Sequence, residues 1–238
     1  MIQTYNIKYT QTTQPLLSYN DHERLFQAIQ DYGKPSIGTD NPPDPIRVVQ
    51  MFLLLRQVRD LSRGDYIELG TLTGMTLRII HQFMAEGCTL YSLDTFEGFN
   101  ADDLAAETAK GPYTLEVSKA AGKINGFWPT SVEKVRTYLN DPPNLEVIQG
   151  WFPDSYEGLE DKWWRFVHID MDLYQPTLRA LQTLWPQVVP GGIVLIHDYG
   201  QNTFAVRPAV DEFCESMNLY PVTLPDLHGS IVLRKQGS

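Results

Sequence analysis

Cysteine is nearly absent from this chain of 238 residues: Cys88 and Cys214 stand far apart, each inside an apolar pattern. Two such thiols argue against a disulfide framework and against a zinc cluster, and read as buried bystanders. Positive charge is scarce as well. Nineteen Lys and Arg face 29 Asp and Glu, a net charge of −10, which repels phosphate backbones and anionic lipid alike and makes nucleic acid and membrane unexpected partners. No apolar run approaches the roughly 18 residues that a membrane span needs. The opening MIQTYNIKYTQTTQ lacks the basic head and apolar core of a secretion signal, so a cytoplasmic location is expected. No fixed-period repeat and no low-complexity tract is visible. Two nucleotide signatures are also missing: there is no G-x-G-x-x-G, and no Lys follows the glycine-containing turn as it would in a P-loop.

What is present fits one α/β domain. Apolar residues make up 42 % of the chain and charged ones 20 %, near globular averages and sufficient for a well-formed core. The stretch Asp21 to Gly33 reads as a short helix, and Ile46 to Gly64 as a longer one that is apolar on most faces. Residues 1–63 are therefore expected to form an N-terminal helical cap over an open site. The apolar helix between Ile46 and Leu61 serves equally as a lid or as the interface of a homo-oligomer.

From residue 64 to 238 the pattern becomes strand, turn and helix, repeated. DYIELG, TLYSLD, NLEVIQG, WRFVHID and GGIVLIHDY are the first five strands, with helices over GMTLRIIHQFMAEG, SVEKVRTYLN, YQPTLRALQTLWPQV and FAVRPAVDEFCESM. Strands separated by helices predict a parallel sheet covered on both faces. The last two strands, LYPVTL and SIVLRK, are joined by a turn too short for a crossover and must be antiparallel. A mostly parallel, Rossmann-like seven-stranded sheet closed by an antiparallel hairpin is the plan of the class I S-adenosylmethionine (SAM) methyltransferases. Residues 95–129 stand outside the alternation as a lid or insertion.

The strand ends carry the chemistry. In IELGTLTG, Glu68 precedes a strand-to-helix turn holding Gly70, Thr71 and Gly74, where the backbone and helix N–H groups can approach a ligand. An acidic residue followed by a loose glycine turn suits a ligand with a positive ammonium and no pyrophosphate. Asp94 ends the second strand twenty residues beyond Gly74, where a carboxylate can accept ribose hydroxyls, and Thr95 and Phe96 wrap the same edge. Gly150 and Trp151 end the third strand and can line an adenine slot. The fourth strand delivers Asp170 and Asp172, and the fifth His197 and Asp198. Carboxylates gathered at one crevice repel one another unless a cation is present, so they either hold a hard divalent ion or include a general base. Asp172 has a second reading, as a cap on the helix that follows. His81, Trp163 and Trp164 read as packing residues, Gly191 and Gly192 as the turn into the fifth strand, and Arg207 as an orienter of the acceptor or a surface ion pair.

From Gly64 to about Phe213 these motifs resemble the macrocin and mycinamicin type of sugar O-methyltransferase. The resemblance rests on IELGTLTG, SLDTFEGF, IQGWFPDS, HIDMDLYQPTLRALQTLWPQVVPGG, and IHDY with VRPAVDEF. It implies SAM bound near Glu68, Gly70, Thr71, Gly74, Asp94, Thr95, Phe96, Gly150, Trp151 and Asp170. It also implies a divalent ion, Mg²⁺ by family habit, at Asp170, His197 and Asp198, a catalytic carboxylate at Asp170 with Asp172 beside it, and a small-molecule acceptor bearing a sugar or natural-product hydroxyl. One departure matters: where the family shows two consecutive aspartates, this chain has His197 and Asp198, and imidazole shifts preference from Mg²⁺ towards softer ions. The alternatives are a metal-independent methyltransferase of a phenolic or other small metabolite, an NAD-dependent oxidoreductase, and a non-catalytic SAM-binding protein.

Overall fold

The computed structural model describes residues 19–32, 44–110, 130–201 and 204–237. Two helices, α1 (Tyr19–Tyr32) and α2 (Pro45–Val58), precede the alternating part. It runs β1 (Asp65–Leu69), α3 (Met75–Phe83), β2 (Leu90–Asp94), α4 (Ala101–Lys110), α5 (Val132–Tyr138), β3 (Leu145–Gln149), β4 (Trp164–Ile169), α6 (Tyr174–Leu184), β5 (Val188–Ile196), α7 (Val206–Met217), β6 (Val222–Thr223) and β7 (Ile231–Arg234). The seven strands lie in the order β3-β2-β1-β4-β5-β7-β6. β1 to β5 are parallel, while β7 runs antiparallel to both β5 and β6. This is the sheet expected of a class I methyltransferase.

Alternation along the strands splits the core in two. Ile67 and Leu69 of β1 and Val167 and Ile169 of β4 join the side chains of α6 and α7 on one face. Tyr66 of β1, Phe166 of β4 and Leu195 of β5 join α2 and α3 on the other. Such two-sided burial is what makes parallel strands read as continuous apolar runs.

Helix α2 forms where it does for local reasons. Pro45 occupies its first turn, where no N–H is needed, and the Asp44 carboxylate accepts from the N–H groups of Ile46 and Arg47 at 3.0 and 3.1 Å. Val48, Met51, Phe52, Leu55 and Val58 then fall on one stripe, and each is almost fully buried. Here the structure departs from the simple cap expected of residues 1–63. α2 is part of the core layer against β4, β5 and α3, and only its first turn reaches the open edge of the sheet. It also stops at Val58, short of Gly64.

Other boundaries move slightly. β5 begins at Val188, so Gly191 and Gly192 lie inside the strand, where its register with β4 shifts, rather than at a turn before it. Among the described residues the expected lid holds one helix, α4; residues 111–129 of that lid, like residues 1–18 and 33–43 of the expected cap, lie outside the described residues. None of the described helices is long and apolar enough to cross a membrane.

Candidate active site

The crevice opens where the sheet order reverses, between β1 and β4, the place where open α/β sheets bind ligands. At the end of β1 the chain turns at Gly70 with φ +82°, and a Cβ there would stand 1.9 Å from the Asp170 carbonyl oxygen. Only glycine lets the turn lie against the end of β4. Beyond it, Thr71 and Leu72 donate their N–H groups to one oxygen of Asp94 at 2.7 and 2.8 Å, and Phe96 donates to the other at 2.7 Å. Asp94 thus ties the β1 and β2 turns together, while each carboxylate oxygen keeps further lone-pair capacity for a ligand.

Together with Gly150 and Trp151 after β3 and with Asp170, Asp172, His197 and Asp198, these turns line one cavity of about 500 Å³, a size ordinary for small-molecule and cofactor sites. Gly70, Thr71, Asp94, Thr95 and Phe96 all reach its wall.

Two expected cofactor residues do not line it. Glu68 points to the α2 and α3 face and is fully buried, its Oε1 2.8 Å from Nδ1 of the equally buried His168, its cross-strand neighbour. Burial pushes its carboxyl above the usual range, and the bond to His168 offsets part of that push. Gly74 begins α3 at φ +86° and packs towards Leu139 and Val135 instead.

The far wall is acidic. Asp170, Asp172 and Asp198 each bring a carboxylate oxygen within 4.8 Å of the others. His197 Nδ1 lies 2.9 Å from an oxygen of Asp170 and 2.9 Å from one of Asp198. Burial disfavours its charged form, but the two carboxylates outweigh that and hold its pKa up at about 9. Asp198 is correspondingly pulled far below the usual range against the effect of burial, by His197 and His228. Asp170 is also lowered, His197 overriding burial. Asp172 goes the other way: burial and the charges of Asp198 and Asp170 push it well up. Asp172 and Asp198 both adopt left-handed backbone, at φ 60° and 62°. Non-glycine residues in that conformation cost on the order of 1 kcal/mol and collect at functional sites.

Asp172 is not the cap of α6. That helix begins after Leu173 with no side-chain cap of its own, and the N–H of Tyr174 is taken by Glu107 of α4 at 2.7 Å. The other oxygen of Glu107, which is fully buried, accepts from the N–H of Ala205 at the start of α7. One carboxylate therefore caps two helices and fastens α4 beside the site. Arg207 reaches no acidic residue of the crevice; it is exposed, donates to the Tyr199 carbonyl and lies over the Tyr199 ring. His81 pairs with Asn144 at 3.1 Å, away from the crevice.

Sequence reasoning missed several polar lining residues, among them Arg47, His228 and Tyr32. Arg47, at the start of α2, and His228, between β6 and β7, belong to elements read only for their hydrophobicity, and Tyr32 ends a helix with no motif around it. The H-G pair at 228–229 between two short strands was the one signal available for His228. The chemistry of the wall suits a divalent cation, because three carboxylates lie close together.

Comparison with known proteins identifies the family. A family model described as "Methyltransferase domain" matches residues 67–199. The chain is 28 % identical over 160 residues to an 8-demethyl-8-(2,3-dimethoxy-alpha-L-rhamnosyl)-tetracenomycin-C 4'-O-methyltransferase of Streptomyces olivaceus, a match covering 63 % of this chain and 58 % of that protein. The chain thus spans less than two thirds of that relative's length. Among solved structures it is similar to the O-methyltransferase NovP, with a TM-score of 0.67, 20 % identity and 84 % of each chain covered. It is also similar to an O-methyltransferase from Bacillus cereus in complex with SAH, with a TM-score of 0.52, 15 % identity, and 90 % of this chain and 91 % of that one covered.

Proposed function

The chain belongs to the methyltransferase-domain family, and on that premise we propose that it is a SAM-dependent O-methyltransferase acting on a hydroxyl of a sugar or glycosylated natural product, assisted by a divalent ion and an aspartate base. One observation carries the reading: the Gly70 turn, Asp94 and the Asp170, Asp172 and Asp198 carboxylates line the same cavity. The relative from Streptomyces olivaceus, a rhamnosyl 4'-O-methyltransferase by name, supports the acceptor class, and the SAH held by the Bacillus cereus enzyme supports the cofactor.

In this reading Asp94 accepts the ribose hydroxyls with the lone pairs left over from its backbone bonds, and Phe96, Gly150 and Trp151 border the adenine. Glu68 is walled off, so the ligand's positive charge faces the Asp170 end of the cavity instead. Asp170 and Asp198, both held ionised beside His197, are the residues that would hold the ion. Bound there, a divalent cation supplies Lewis acidity that lowers the pKa of an acceptor hydroxyl.

Asp172 is the better base of the two candidates, because neither imidazole engages it. Its raised pKa follows from burial and from its acidic neighbours; neutralising Asp170 and Asp198 removes that second cause and leaves a carboxylate able to take a proton. The acceptor oxygen then displaces the sulfonium methyl in line, its proton passing to Asp172 and the thioether leaving neutral. No covalent enzyme intermediate is needed.

The test is transfer of labelled methyl from SAM to a panel of glycosides and phenols, with and without chelator. Transfer to glycosides that falls on chelation supports the proposal; full transfer to phenols in the presence of EDTA favours the metal-independent alternative.

A further inference from the structure

Asp198 faces two imidazoles. His228 Nδ1 lies 3.0 Å from the same Asp198 oxygen that His197 Nδ1 approaches at 2.9 Å, and the two rings stand 5.3 Å apart between centres. His197, Asp198 and His228 each offer a donor atom within 4.8 Å of the other two, and the group shares Asp198 with the three-carboxylate cluster.

The placement of His228 is fixed on several sides. Gly200, two residues after Asp198, donates its N–H to the carbonyl oxygens of His228 and Gly229 at 3.0 and 2.8 Å. A Cβ on Gly200 would stand 2.8 Å from the Gly229 Cα, and one on Gly229, where φ is +69°, 2.7 Å from the Gly200 Cα. The β5 loop and the β6–β7 turn can therefore touch only where both chains carry glycine. On either side of the turn, Leu227 donates its N–H to Asp44 at 2.7 Å, and the buried Asp226 accepts from the N–H and hydroxyl of Ser230, both at 2.5 Å. Carboxylates on two sides and a glycine pair thus hold this imidazole against Asp198.

Ligands at about 2.1 Å from an ion and at right angles to one another stand about 3 Å apart, which matches the separations of His197 from Asp170 and Asp198, 2.9 Å each, and of His228 from Asp198, 3.0 Å. Oxygen-only sites suit Mg²⁺, whereas imidazole favours ions such as Co²⁺, Ni²⁺ and Zn²⁺. We propose that His197 and His228 are nitrogen ligands beside Asp170 and Asp198, and that the site selects a first-row transition ion over Mg²⁺. This rests on the methyltransferase reading of the cavity and gives its cation a chemical identity.

The test uses the full chain stripped with chelator and titrated by calorimetry with Co²⁺ and with Mg²⁺, with the visible absorption of the Co²⁺-loaded protein as a second readout. Wild type should bind Co²⁺ at least about 100-fold more tightly than Mg²⁺. His228→Ala should weaken Co²⁺ at least about 100-fold, beyond the effect of an outer-shell partner, leave Mg²⁺ affinity unchanged and shift the cobalt absorption, while His197→Asp should tighten Mg²⁺. His228→Asn, with the fold checked by circular dichroism, repeats the test with a polar side chain kept in the turn. Equal affinities for the two ions, or an unchanged cobalt spectrum in both His228 variants, would overturn the proposal. SAM binding and methyl transfer without any bound ion would overturn it too, while leaving the methyltransferase reading standing; loss of SAM binding itself would bring down both.

Discussion

Glu68 Oε1 and His168 Nδ1 meet 2.8 Å apart across β1 and β4, with neither side chain exposed. A residue that reads in sequence as a cofactor contact is a structural partner under the site. Removing one member of such a pair leaves an uncompensated polar group. Glu68→Ala should therefore cost about 3 kcal/mol of stability, measured by urea unfolding, with SAH binding retained in the fraction that folds. The native carboxyl of Glu68 is raised above its usual value by burial, so its contribution is fully present below the unfolded value near 4.5 and is lost as pH rises through the raised native value. In Glu68→Gln that fall with pH should vanish. An intact fold that no longer binds SAH would return Glu68 to the cofactor.

The Glu107 double cap predicts a local effect. Glu107→Ala orphans the N–H groups of Tyr174 and Ala205 and should cost about 2 kcal/mol, near 1 for each cap. α4 should come loose first, so amide exchange should quicken over 101–110 more than over β1 or β4. Uniform quickening across the chain would show that Glu107 does not anchor α4 specifically.

Gly70→Ala puts a methyl group into the Asp170 carbonyl at a positive φ. It should cost at least about 2 kcal/mol and abolish SAH binding, because the turn and the end of β4 must separate. Unchanged melting and binding would mean that the turn has slack the close approach denies.

Asp172→Asn separates two readings of one residue. If Asp172 is the base, kcat should fall at least about 100-fold with SAH affinity kept and stability equal or higher, since a carboxylate crowded by Asp198 and Asp170 is removed. A helix cap would instead lose about 1 kcal/mol on mutation and leave kcat alone.

Strand periodicity and the short final connection made the sheet legible, and the acids and glycines at strand ends marked the crevice. Periodicity could not tell which way Glu68 faces, because a strand buried on both sides carries no polar face to orient it. Nor could it give Asp172 its place: the cap it seemed to supply comes from Glu107, 65 positions earlier in sequence. Arg47 and His228 stayed hidden because each reaches the cavity through tertiary packing of an element whose local pattern speaks only of burial. His197 was legible as a departure from the family's two aspartates; its bridging of Asp170 and Asp198 needed coordinates.

The central claim is that this cavity is built for SAM. Calorimetric titration of the purified chain with SAH and, separately, with NAD tests it most directly. The account predicts one SAH bound per chain and no heat from NAD; binding of NAD with none of SAH would contradict it.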